Sequence, residues 1–224
     1  MRLRFVSIVT TIMIIISAGI GLYNKSMYTD FNFQEHPLEE VKVAILSDDL
    51  LEIQIEHLRK NLEHTSNYIV AVECMDKSLF RFHCTSQEVV VKRVFKGTGL
   101  SENDSIEIVK AGTEIFRDAG KPSVNMGFVN EMRPGKEYLV FLDRKIENTE
   151  RIYIQSDEFI IAPIFCYEDI VNIPYQPDNL DYTVTDYINV KDNEFFFMSE
   201  SSYEIMRKFK ADLFQRYNHI TASS

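Results

Sequence analysis

The stretch Arg133-Pro134-Gly135-Lys136-Glu137-Tyr138-Leu139-Val140-Phe141-Leu142 decides how this chain is read. Proline in the second place and glycine in the third are what a type II turn asks for, since Pro presets one φ and Gly accepts the positive one. The turn opens directly into the most strongly apolar strand of the sequence. A hairpin-like turn feeding a buried strand points to a mainly β core.

Working toward the N-terminus, Ser105 to Val109 alternates as a strand, and Gly97 and Gly99 mark a turn before it. Upstream of that turn, Leu79 to Phe95 is β-rich but too long for one regular strand. Phe80, Phe82 and Cys84 share one face, whereas Val89, Val90 and Val91 crowd together, so the alternation slips across Ser86 to Glu88. A bulge or bend there would let one strand serve two sides of a small barrel. Tyr68 to Met75 is a further compact β-rich run. Before it, Asp49-Leu-Leu-Glu52 fits a capping box, and Leu51, Ile55, Leu58 and Leu62 form one helical stripe, which predicts a helix from Asp48 to Glu63.

Beyond the central strand, Ile152 to Ile164 supplies at least one more strand, closed by Pro163 or by a bend near Cys166. Thr113 to Ser123 reads as a polar loop, and Tyr167 to Asp192 as an extended excursion over the barrel. Phe195 to Met198 is a short strand. The chain then ends in a helix from Ser199 or Ser201, with Tyr203, Met206, Phe209 and Leu213 on the buried side and Glu204, Lys208, Asp212 and Gln215 on the solvated one.

This order of parts, with Val94-Phe-Lys-Gly97 and Gly135-Lys-Glu-Tyr-Leu-Val-Phe-Leu142 as its clearest patterns, resembles the OB-fold-type barrel of netrin-like and tissue-inhibitor-of-metalloproteinases domains. It is also similar to Gram-positive membrane-anchored surface proteins sharing those two patterns. The likeness covers residues 66 to 163. It implies binding through a barrel face or its loops. The inhibitors' mechanism does not carry over, because it uses a free N-terminal cysteine and the first cysteine here is Cys74.

At the N-terminus, Arg2 and Arg4 precede an uncharged run from Phe5 to Tyr23. As a helix rising about 1.5 Å per residue, that run matches the thickness of a hydrocarbon core. The flanking positive charges place the N-terminus in the cytoplasm and the rest outside. The length of the run favours a retained signal anchor in contact with the lipid bilayer over a cleaved signal peptide, which would instead release the chain. The division expected is therefore 1–23 cytoplasmic tip and anchor, 24–47 tether, 48–166 helix plus barrel, and 167–224 loop, short strand and C-terminal helix.

Asp and Glu number 34 against 24 Lys and Arg, a net charge of −10, which repels phosphate backbones and argues against nucleic acid as a partner. No glycine-rich phosphate-binding motif occurs. Cys74, Cys84 and Cys166 are widely spaced, with no C-x-x-C, and read as buried thiols. His83 and Cys84, as strand neighbours, point to opposite faces. His57 and His64 lack a third ligand, as do the scattered His36 and His219; Asp178, Asp181 and Asp186 miss the calcium-loop pattern. No catalytic, cofactor or metal residue is therefore assigned. Gly97, Pro134 and Gly135 are expected to matter for structure.

The expectation is a mainly β (α+β) protein, an OB-like small barrel flanked by an N-terminal and a C-terminal helix and preceded by one transmembrane helix. Its expected role is a membrane-tethered extracytoplasmic binding or interaction module without catalysis, with a protein in the envelope as its candidate partner. The alternatives are an envelope hydrolase, with His83, Asp181 and Asp186 as the residues to test, and an inhibitor or regulatory subunit of an envelope protease or membrane complex.

Overall fold

The computed structural model describes residues 2–26, 38–39, 41–76, 78–81, 84–111, 115–116, 123–149, 151–156, 158–175 and 184–218. It divides into two compact units, Met1–Glu35 and His36–Ser224.

The first unit contains one helix, α1 (Arg2–Ser26). Every side chain described in it, from Ile8 to Asn24, is exposed. Among the described residues no helix is long and apolar enough to cross a membrane. The span expected over Phe5 to Tyr23 thus rests on the sequence, and the structure adds only that the segment is helical.

The second unit begins with β1 (Lys42–Ala44), α2 (Asp48–Thr65), β2 (Tyr68–Cys74), β3 (Leu79–Arg81), β4 (Cys84–Lys96) and β5 (Ser105–Ala111). It continues through β6 (Ile115–Phe116), β7 (Ser123–Val124), β8 (Glu137–Lys145), β9 (Ile152–Gln155), β10 (Ile164–Cys166), β11 (Val184–Asp186) and α3 (Glu200–Arg216). Five strands close into a barrel in the order β8, β2, β4, β5, β9 and back to β8. Every pairing in the ring is antiparallel except that of β5 with β9. A five-stranded closed barrel is compatible with an OB-like fold.

Register explains why the central strands read as unbroken apolar runs. Tyr68, Val70 and Val72 of β2 face Leu142, Val140 and Tyr138 of β8, and the alternate residues Ile69 and Ala71 face Phe141 and Leu139. Both faces are buried, because the outer one is covered. Phe141 meets Phe165 of β10 and Tyr217 past the end of α3, while Phe165 meets Phe209 of α3. The stripe Leu51, Ile55, Leu58 and Leu62 of α2 joins this core, as do Tyr203, Met206, Phe209 and Leu213 of α3. The two helices touch along their sides, where Arg59 lies over the Phe209 ring and 3.7 Å from Asp212.

Four local expectations need correction. The long strand does not bend at Ser86 to Glu88. Instead β3 folds back on β4, pairing Arg81 with Cys84, and the register slips fall at the far end, opposite Ile69/Val70 and Ala71/Val72. The helix start is not a capping box at Asp49. Ser47 is the N-cap, and Asp48 accepts the hydroxyls of Ser199 (2.8 Å) and Ser202 (2.6 Å), so one carboxylate serves the positive ends of α2 and α3 together. The Thr113 to Ser123 loop carries β6 and the first residue of β7.

The fourth correction concerns the tether, whose last part belongs to the fold. Val41, Val43, Ile45 and Leu46 are buried, and β1 sits in a four-stranded sheet ordered β11, β1, β7, β6. Val41, Val43, Ile45, Val124, Met126, Val190 and Phe196 are buried apart from the main core. In place of the short strand expected at Phe195 to Met198, two isolated bridges, Phe195 to Val129 and Phe197 to Leu46, join the two regions.

The type II turn is present: Lys136 N donates to Arg133 O at 3.1 Å, and Gly135 has φ +76°. No atom lies within 4 Å of where a Cβ on Gly135 would sit, so a side chain there meets only backbone strain. Gly135→Val should lower stability by about 1–3 kcal/mol. An unchanged urea midpoint would show that the turn adapts.

Candidate functional site

A concavity built from described residues lies on the outer face of β4 and β5. Gln87 sends its side chain inward, where Nε2 donates to Met132 O at 2.8 Å and Oε1 accepts Met132 N at 2.9 Å. Alternation along the strand therefore turns Ser86 and Glu88 outward. Their partners across the ladder are Val109 and Glu107 on β5. Over this face lies a cleft of roughly 270 Å³, walled further by Asp76 and Leu79 on one side and Arg151 on the other. Glu107 N donates to Arg151 O at 2.9 Å, which fixes that wall to the barrel where β9 begins.

Two polar features mark the cleft. Glu88 and Glu107 stand directly opposite each other across the β4–β5 ladder. Ser105 donates its hydroxyl to Glu88 Oε1 at 2.8 Å but brings no positive charge. Ser86 is 1% exposed and its hydroxyl has no hydrogen-bond partner. Buried hydroxyls normally find one.

Two buried ionic groups lie elsewhere. Lys110 of β5 donates to Val129 O at 2.7 Å, and burial pushes its ammonium down to about 8. Burial raises the carboxyl of Glu131, Lys110 and Ser78 pulling it back, and one of its oxygens has no hydrogen-bond partner. The second group is Glu194 with Lys210, 2.6 Å apart and almost wholly buried. Glu194 Oε1 also accepts Cys166 N at 2.7 Å. This pair fastens the late excursion between β10 and α3, and Asn172, Asn193 and Asn130 continue the fastening through backbone carbonyls and amides.

The residues singled out from sequence are not brought together. His57 packs its ring 5.2 Å from Phe159, His64 is exposed near the end of α2, and Asp186 pairs with Lys42 in the four-stranded sheet. His36, His83, His219, Asp178 and Asp181 lie outside the described residues. Cys74 and Cys166 are buried thiols as expected, whereas the Cys84 thiol is only half-buried. Burial pushes Cys74 up to about 12 and raises Cys166, which makes both poor nucleophiles. Among the described residues no group of three His, Cys, Asp or Glu could hold a metal ion.

Sequence reasoning missed the cleft, although Glu88 and Glu107 were each visible as outward strand positions; their pairing needed the β4–β5 register. It also missed Lys210, whose signal was positional. Lys210 stands four residues after Met206 and seven after Tyr203, on the apolar side of the helix. No protein-family model matches this sequence and no curated protein matches it, so the functional argument stands on this geometry.

Proposed function

We propose that this protein is a membrane-tethered extracytoplasmic binding module that presents an OB-like barrel, with the cleft on β4 and β5 as its binding face. The observation that supports the reading is the cleft itself, a concavity on the barrel wall that sets Glu88 opposite Glu107 near Ser86, a buried hydroxyl without a hydrogen-bond partner. The anchor is supported by the sequence of α1. Its uncharged run between Phe5 and Tyr23 leaves Ile14, Ile15 and Leu22 exposed by 64%, 63% and 68%, a surface that water does not tolerate along a whole helix. The two arginines before it favour a cytoplasmic N-terminus.

The test is crosslinking capture of the tagged full-length chain from its native membranes, against a control carrying the anchor alone. A ligand or partner held by the full chain, and lost when Glu88 and Glu107 are changed to glutamine, supports the reading. Recovery of the chain in the soluble fraction, or a capture profile identical to the control, overturns it.

A further inference from the structure

Residues 127 to 132 form a strap that leads from β7 of the four-stranded sheet toward β8 of the barrel, and side chains tie it to both regions. From the barrel, Lys110 donates to Val129 O at 2.7 Å, and Gln87 bonds both Met132 N and Met132 O. From the stretch that follows β11, Tyr187 donates its hydroxyl to Asn130 Oδ1 at 2.9 Å. Asn130 in turn donates its side-chain amide to Lys191 O and Asn193 O, and its backbone N to Glu194 O. These ties hold a conformation the strap would not choose alone. Gly127 and Phe128 stand at φ +61° and +54°, and a bulky side chain enters that left-handed region only where its surroundings dictate it.

One group in the strap works against the ties. The Oε1 of Glu131 is buried and has no hydrogen-bond partner. Lys110 of β5 and Ser78, just ahead of β3, favour its charged form, but the Lys110 ammonium is itself buried and already bonded to Val129 O. The other titratable groups within the field of Glu131 are Cys74 of β2 and Tyr187, with Asp76 acting on the first and Arg133 and Asp192 on the second. A carboxylate oxygen without hydrogen bonds in an apolar interior is costly, and the protonated carboxyl much less so.

We propose that this strap is a pH-controlled latch between the barrel and the four-stranded sheet, tightest at acid pH and loosened toward neutrality through the carboxyl of Glu131. Burial holds that carboxyl above its ordinary value in spite of Lys110 and Ser78. Its contribution to the closed strap is therefore full below about 4.3 and is lost as pH rises through the folded value. Lys110 acts from the other side. Burial pushes it down to about 8, so its contribution is full above about 10.4 and is lost as pH falls through about 8. The latch is weakest between these limits. It stands whether or not the cleft on β4 and β5 binds anything.

The test is hydrogen exchange of the full-length chain in detergent micelles, read by mass spectrometry. Each rate is divided by the intrinsic rate at the same pH, so that the direct effect of pH on exchange drops out. Peptides containing the bonded amides of Asn130 and Met132 report on the strap, and peptides from the β2–β8 ladder serve as the reference. Strap protection should fall about threefold or more between roughly pH 4.5 and pH 7.5, while that of the ladder changes by less than this. Glu131→Gln keeps the size of the side chain and removes its charge. It should raise strap protection at the higher pH and flatten the acid response. Equal strap protection at the two pH values, an acid response that survives Glu131→Gln, or a loss shared equally by the ladder would overturn the proposal. The comparison of strap with ladder in the native chain decides the matter even where the variant is unstable.

Discussion

Lys210→Met should cost the domain about 3–5 kcal/mol, the range seen when one member of a buried ion pair is removed. The loss is not mainly the lost attraction. Glu194 would remain at the junction of β10 and α3, its Oε1 still bound to Cys166 N, with its charge uncompensated. At about 2–4 °C per kcal/mol for a domain of this size, the midpoint of thermal unfolding should fall by about 6–20 °C.

The pH dependence of that loss identifies its cause. Burial raises the Glu194 carboxyl above its ordinary value, and Lys210 is the main group pulling it back. Without Lys210 the carboxyl rises further. A carboxyl whose folded value lies above its unfolded one favours the fold while protonated, so its penalty is fully felt above the folded value and fades as pH falls toward about 4.3. The deficit of Lys210→Met relative to the native chain should therefore shrink on acidification. Adding Glu194→Gln should recover much of it at pH 7, since glutamine can still accept from Cys166 N. A deficit independent of pH, unrelieved by Glu194→Gln, would mean that lost packing of the lysine stem and its contact with the Phe214 ring, not the stranded charge, sets the loss.

Gly97→Ala should cost about 2–4 kcal/mol through two causes acting together. Gly97 sits at φ +111°, a region that residues with side chains rarely adopt. A Cβ there would also drive into the Tyr68 ring, which packs edge-on against Tyr153 at a centroid distance of 5.2 Å. A double-mutant cycle with Tyr68→Ala separates the causes. The steric part should disappear in the Tyr68→Ala background, leaving the backbone part of about 1–3 kcal/mol. Additive losses would show that the ring moves aside freely. Chemical unfolding with an unchanged m-value is the appropriate measurement, because a changed slope would implicate the denatured state.

The features legible in the sequence were those whose signal is local. The apolar run of β8, the turn at Arg133 to Lys136, and the stripes of α2 and α3 each depend on residues within a few positions of one another. The resemblance to an OB-type barrel anticipated the closed five-stranded ring. The four-stranded sheet was not legible because β1, β6, β7 and β11 are two or three residues long and separated by up to about 140 positions. Val41, Val43 and Ile45 alternate with Lys42 and Ala44, yet so short a segment looks like any polar stretch with scattered apolar residues. The candidate site failed to show for a related reason. A glutamate on a strand is ordinary; two glutamates facing each other beside a buried hydroxyl are not, and only register reveals them.

The pairing of β1 with β11 also fixes an order of events. Val43 lies beside Thr185, and Leu46 beside Phe197, so the earliest strand of the second unit completes its contacts only with the last stretch before α3. Structure dominated by such distant partners forms slowly, because the loop must close before any contact repays it. During synthesis β1 emerges long before Phe197 does. The four-stranded sheet is then a late seal: until translation delivers Phe197, the segment 41–46 lacks its last partners, and truncation anywhere before Phe197 should leave that segment open to proteases.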